Sequence, residues 1–388
     1  MNGRTIVKAG RIFDGEAFCK DAAVVVEDGM VAEIVGPAEI ERRADLAGGE
    51  VVRLDTGMLV PGFVDLQVNG GGGRMLNDDP SVETIKAICR AHAALGTTAI
   101  LPTLITDTPE KVRAAVEAAV VANDERVAGF LGLHLEGPHL SVARKGAHDP
   151  ALIRAMTDDD LELLLAAAGL LPHLKVTVAP ESVTPAQIAV LTRAGVVISL
   201  GHTDAGLGAA REAARAGARC VTHLFNAMSP LTHREPGMVG AALTTGELYA
   251  GLIADGYHVD VAAIRIALAA KTGPGKIFLV SDAMAVTGSE LTSFKLGGRT
   301  IYRKDGRLTL ADGTLAGADL DMVGAVAFMV DKVGVGIEEA LKMATAYPAE
   351  CIGADHHGHL RPGARADFVH LDDRFRVGQI WQGGVALN

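Results

Sequence analysis

Apolar and polar positions along the chain fall into two regimes. Between residues 58 and 281, short continuous apolar runs occupy 58–68, 97–105, 128–135, 174–179, 196–201, 219–224, 248–254 and 276–281. Runs without alternation predict parallel strands buried on both faces. Amphipathic helical patterns fill most of the gaps, at 82–95, 109–122, 158–168, 185–194, 207–216 and 261–270, and helices resume at 321–332 and 337–346. Eight strands alternating with helices predict a (β/α)8 TIM-like barrel, whose chemistry sits at the carboxyl ends of its strands. Outside that span the pattern changes. Residues 4–55 and 366–384 alternate apolar with polar positions, and Asp14-Gly15 and Asp28-Gly29 supply hairpin turns. Neither end can bury a core alone, so the two predict one small β-sandwich domain built from both ends. The expected divisions are 1–56 and 353–388 for that domain and 57–352 for the barrel. Residues 227–247, with Pro230 and Pro236, predict a long functional loop, and 294–317 an inserted hairpin turning at Asp305-Gly306.

The strand ends carry the candidate chemistry. The runs close on Gln67 and Asn69, Thr103, Glu136, Glu181, His202, His223, His258 and Asp282. Glu136, His202 and His223 offer one carboxylate and two imidazoles from three strand ends, a donor set for a divalent ion that leaves a position open for water. His134 shares a strand face with Glu136, so both a supporting role and plain packing stay open for it. Asp282 ends the eighth run, where a carboxylate can take a proton from water and return it to a leaving group. Capping the next segment is the alternative use for an Asp there; the following MAVTGSE is a weak helix former, which favours the acid/base role.

Composition narrows the class. A chain of 388 residues, 49% hydrophobic, has the material for a large core, and a net charge of −11 without a basic run excludes a nucleic-acid partner. One Arg with one His still suffices to hold a single phosphate. Cys19, Cys89, Cys220 and Cys351 form no CxxC, and no apolar run reaches membrane-span length, so a reduced, cytoplasmic setting is expected.

Seven ordered motifs, PGFVDLQVNGGGG (61–73), HLEGPHL (134–140), KGAHDP (145–150), GHTDA (201–205), THLFNAMSPLTHREPG (222–237), IADGYHVD (253–260) and LVSDAM (279–284), together with LRPGARADFVHLD (360–372), resemble the N-acetylglucosamine-6-phosphate deacetylase branch of the amidohydrolase superfamily. The resemblance spans nearly the whole chain. It implies a metal-dependent amidase that removes acetate from N-acetylglucosamine 6-phosphate. It also implies Glu136, His202 and His223 as metal ligands, Asp282 as general acid/base and His148 against the acetamide carbonyl. Asn226, Ala227, Arg234 and His258 match sugar-phosphate positions, with Arg234 a candidate for donation to a neighbouring subunit, hence a homodimer or larger homo-oligomer. Many superfamily members carry His-x-His on the first strand; Gln67-Val68-Asn69 stands there instead, so one ion per chain is expected. Zn2+ is the first candidate, with Fe2+, Co2+ or Mn2+ as the others. His233 has no matching role, and the His356–His359 tract falls in a connecting turn. Another superfamily deacylase or cyclic amidase is the alternative enzyme, and an inactive barrel scaffold the alternative outside enzymes; the retained ligands and Asp282 argue against the scaffold.

Overall fold

A computed structural model describes residues 4–42 and 50–387. Residues 1–3, 43–49 and 388, which belong to the expected terminal domain, lie outside the described residues.

Eight parallel strands form the barrel in chain order: Phe63–Val68, Thr97–Ile105, Leu133–Glu136, Leu174–Val178, Val197–Leu200, Cys220–Val221, Tyr249–Leu252 and Ile277–Leu279. Every residue in them is buried, as continuous apolar runs require. The first strand meets the chain just past the last one. Val68 bridges Ala283, and Asp282 N donates to the Gln67 carbonyl at 3.1 Å, which closes the ring next to two candidate site residues. Helices Val82–Ala93, Pro109–Asp124, Asp158–Ala168, Pro185–Arg193, Leu207–Arg215 and Val261–Ala270 cover the outside. Two begin at reciprocal caps, Thr157 with Asp160 and Thr184 with Gln187, each satisfying backbone donors that a helix start leaves open.

Both chain ends enter one mixed eight-stranded sheet. Met58–Pro61 pairs antiparallel with Phe368–Leu371, and Thr5–Phe13 joins Phe18–Glu27 on the other side. Val7, Ile12, Val24, Leu59, Phe368 and Trp381 pack in its core. The expected single run 58–68 therefore divides: residues up to Pro61 serve this sheet, and those from Phe63 serve the barrel. Gly62 is the joint, where an added Cβ would stand 1.9 Å from Thr98 Oγ1, so no side chain fits.

Two further expectations change. The segment 227–247 is not all loop, because Gly237–Thr244 is a helix. Its sequence, GMVGAALT, is apolar and buried from Gly237 to Leu243, so it shows no helical periodicity. The inserted hairpin at 294–317 is a four-stranded antiparallel sheet: Ser293–Leu296, Arg299–Lys304, Arg307–Thr309 and Leu315–Ala318. Its Leu296, Ile301 and Leu308 pack on Met75, Ile105, Met284 and Val286. Those partners follow the first, second and eighth strands, so the inserted sheet lies over the carboxyl end of the barrel. It is tied there by Arg299 to the Ala147 carbonyl and by Tyr257 Oη to the Asp305 carbonyl at 3.0 Å.

Candidate metal and amide-hydrolysis site

Glu136, His202 and His223 meet at the carboxyl end of the third, fifth and sixth strands. Glu136 Oε1 lies 3.2 Å from His202 Nε2 and 3.0 Å from His223 Nε2, and the two imidazole nitrogens are 3.1 Å apart. All three residues are buried. An ion bonded at about 2.0–2.1 Å to tetrahedral ligands separates them by roughly 3.3–3.4 Å, so the triangle has the size such an ion requires. The His202 tautomer agrees: its Nδ1 donates to the Arg144 carbonyl at 2.9 Å, which leaves the Nε2 lone pair facing the other two candidate ligands. Burial alone would raise the Glu136 carboxyl; hydrogen bonding with His202 and His223 outweighs it and holds the group well below the usual carboxylate range.

His148 stands beside this cluster, its ring 4.3 Å from that of His202, and Glu136, His148 and His202 could on distance alone share an ion. Its hydrogen bonds decide otherwise. The Thr106 backbone N–H donates to His148 Nδ1 at 3.3 Å, and Thr106 Oγ1 lies 2.8 Å from the same nitrogen. Nδ1 is therefore an acceptor, and a neutral ring carries its proton on Nε2. Burial first, then the nearby His202, pushes its pKa down to about 3, so the ring is neutral. A neutral imidazole with Nε2–H is a hydrogen-bond donor, suited to a carbonyl oxygen rather than to a cation. A cavity of about 620 Å3 opens next to it, bordered by Asn77, Lys111, Lys145 and Arg299. His134 is settled as packing: Thr103 Oγ1 at 3.1 Å and Thr177 Oγ1 at 2.8 Å occupy its two ring nitrogens inside the barrel. Glu181 is outside the cluster as well. It accepts from Thr203 Oγ1 at 2.5 Å and Asp204 N at 2.6 Å, bracing the turn that follows His202.

Asp282 reaches the site from the eighth strand. Gln67 Nε2 at 3.1 Å and Asn69 Nδ2 at 2.7 Å both donate to its Oδ1, and burial followed by the charge of Glu136 raises its pKa. The backbone marks the same residues. Of the ten non-glycine residues at positive φ among the described residues, five are His202, His223, Phe225, Ala227 and Asp282, and such conformations concentrate where a side chain must be aimed against backbone preference.

The amidohydrolase family model matches residues 58–384. This chain belongs to the amidohydrolase family. It is 44% identical over 365 residues to the N-acetylgalactosamine-6-phosphate deacetylase of Shewanella sp. (strain ANA-3), covering 94% of this chain and 91% of that one. It is 35% identical to the N-acetylglucosamine-6-phosphate deacetylase of Haemophilus influenzae, covering 92% of each. The crystal structure of N-acetylglucosamine-6-phosphate deacetylase from Pasteurella multocida superposes with a TM-score of 0.93 at 34% identity over 99% of both chains. The donor set and the family agree on a divalent ion. No described helix is long and apolar enough to cross a membrane.

Asn226, Ala227 and His258 stand beside the cluster. Asn226 and Ala227 come three and four residues after His223, with Asn226 N donating to the His223 carbonyl at 2.9 Å. His258 comes from the seventh strand's loop. Its Nδ1 lies 2.7 Å from Asp255 Oδ2, so the ring is held with Nε2 outward. Asp255 is a residue the sequence reading missed; a carboxylate three positions before a strand-end His is its only signal. Arg234 is not brought into the buried cluster: it is exposed on the loop 231–235, beside His233. The His356–His359 tract does form a connecting turn, with His356 Nδ1 and His359 Nε2 on the carbonyls of Gly363 and Asp355.

Proposed function

We propose that this protein hydrolyses the acetamide of N-acetylglucosamine 6-phosphate, giving glucosamine 6-phosphate and acetate, with one divalent ion per chain, first of all Zn2+. The observation that carries the reading is the 3.0–3.2 Å triangle of Glu136, His202 and His223 with Asp282 beside it. An ion held by those three residues supplies Lewis acidity and a nucleophilic water near neutral pH. The chain's own side chains do the rest. Asp282 takes the water proton and gives it to the departing amine, which is a poor leaving group while unprotonated. His148, neutral and with Nε2–H, donates to the carbonyl oxygen as that oxygen gains charge. His258, oriented by Asp255, and Asn226 with the Ala227 backbone take the sugar phosphate from the other flank. Arg234, exposed on its loop, completes the phosphate clamp in a neighbouring copy, so the working form is a homodimer or larger. A guanidinium fork suits phosphate oxygens.

A second reading concerns the sugar. The 44% identical relative is named for the galactosamine epimer, which differs from glucosamine at a single hydroxyl. Acetate release should therefore be measured side by side on N-acetylglucosamine 6-phosphate, N-acetylgalactosamine 6-phosphate and unphosphorylated N-acetylglucosamine. The glucosamine reading requires the first to have the highest kcat/KM; a higher value for the second transfers the assignment to the epimer, and no release from any of them rejects the deacetylase reading. Arg234→Ala should weaken the phosphorylated substrates far more than the unphosphorylated one.

A further inference from the structure

Gln67 in the first strand stands between two carboxylates that would otherwise repel, and Asn69 follows just past the strand's end. Gln67 is fully buried, and its Nε2 lies 3.2 and 3.3 Å from the two Glu136 oxygens and 3.1 Å from Asp282 Oδ1. Asn69, equally buried, adds Nδ2 at 2.7 Å to the same Asp282 oxygen. The amides are oriented by what they face, since turning either around would set a carbonyl oxygen against an anion. The consequence is visible on the other side. Gln67 Oε1 and Asn69 Oδ1 are buried and find no partner among the described residues, an unfavourable state that only the bonds made by the NH2 groups offset. The backbone fixes the arrangement at this point, with Asp282 N on the Gln67 carbonyl and Asn69 N on the Ala283 carbonyl at 2.9 Å.

We propose that Gln67 and Asn69 are positioning residues for Asp282, and this rests on the acid/base reading of Asp282 given above. Two N–H donors occupy Oδ1 and leave Oδ2 as the oxygen that exchanges the proton. As a water O–H bond breaks, the Oδ2–H bond forms; as that bond breaks, the amine gains its N–H, and the carboxylate is restored. Gln67, bonded to Glu136 and Asp282 together, offsets their repulsion with an amide dipole.

The test uses the full chain loaded with the ion. Asn69→Leu removes one donor, and Asn69→Ala removes it with less bulk should the leucine variant fail to fold. Each should lower kcat for acetate release at least about tenfold, as expected for losing a charge-assisted hydrogen bond. KM should stay within about twofold and the ion content should equal that of the wild type. Asn69→His, whose Nδ1 can stand where the amide nitrogen does, should recover most of the loss, and in a crystal structure of the loaded Asn69→Leu protein the Asp282 carboxylate should leave its present orientation. Wild-type kcat in both donorless variants, or a fall in kcat matched by loss of the ion, overturns the proposal. A wild type that releases acetate from none of the three sugars overturns the deacetylase reading and the positioning role with it.

Discussion

Replacing Asp255 with Asn should weaken the preference for the phosphorylated sugar by about 5- to 13-fold, with little effect on the unphosphorylated one. Asp255 Oδ1 accepts from the backbone N–H groups of Tyr257 and His258, each at 2.8 Å, and Oδ2 lies 2.7 Å from His258 Nδ1. Both side chains are nearly buried, at 6% and 8% exposed. Asn keeps the Oδ1 acceptor, so the turn survives. Its NH2 then faces His258 Nδ1, which forces a neutral ring protonated on Nε2. That ring still donates to a phosphate oxygen, but no carboxylate holds it from behind. The bond that holds the ring changes from one to a carboxylate, worth about 1.5–3 kcal/mol, to a neutral one, worth about 0.5–1.5, so the difference is about 1–1.5 kcal/mol, which sets the fold-change. The assay is kcat/KM on both substrates for Asp255→Asn, His258→Ala and the double variant. Because Asp255 acts through His258, the double variant should be no worse than His258→Ala alone. Equal losses on both substrates, or additive losses in the double variant, would refute the argument.

His202→Ala should lose ion and activity together, read by elemental analysis beside turnover, with the wild type holding one functional ion per chain; two would reject the one-ion site. Asp282→Asn should retain ion and substrate binding while kcat falls about 10²- to 10⁴-fold, the usual range for a general acid/base, and near-native turnover would end its proposed role. Asp65→Asn should change the dependence of stability on pH. Burial raises the Asp65 carboxyl to about 7 from its ordinary 3.8. The folded chain then binds a proton that the unfolded chain has released between those values, so Asp65 lowers stability as pH rises through that window. Removing the carboxylate should flatten the fall between pH 4 and pH 8 by something on the order of 4 kcal/mol. Denaturant midpoints at both pH values measure it, and an unchanged pH dependence would sink the claim.

The barrel was legible because strands buried on both faces are written as unbroken apolar runs, and the candidate ligands because each run stops at a residue of a different chemical kind. What the sequence hid follows from the same logic. The Met58–Pro61 and Phe63–Val68 strands are equally apolar, so nothing in the pattern separates two sheets; only the contact of Gly62 with Thr98 does. The helix Gly237–Thr244 is buried from Gly237 to Leu243 and lacks the polar face that would announce it. Gln67 and Asn69 were legible as the absence of a histidine pair, but their action on Asp282 depends on a contact 213 to 215 residues away along the chain.

Backbone conformation is the last part of the site that residue types alone do not state. His202, His223 and Asp282 have φ values of 47°, 27° and 51°, in or near the left-handed region. For residues other than Gly each such conformation costs on the order of 1–3 kcal/mol, somewhat less for His and Asp, which tolerate it best. Three of them together would take a large part of a typical domain's net stability unless the surroundings hold them. They do so locally. Asp282 N is bonded to the Gln67 carbonyl and the Asp282 carbonyl accepts from Ala318 N at 3.1 Å, while the His202 carbonyl accepts from Ser141 N at 2.8 Å. The left-handed step lets the residue just past a parallel strand turn its side chain inward over the barrel, where the strand's own alternation would not direct it. The hydrogen bond at the closure of the barrel therefore also holds the strained Asp282 in place. Loosening the first strand should release Asp282 before it unfolds the ring.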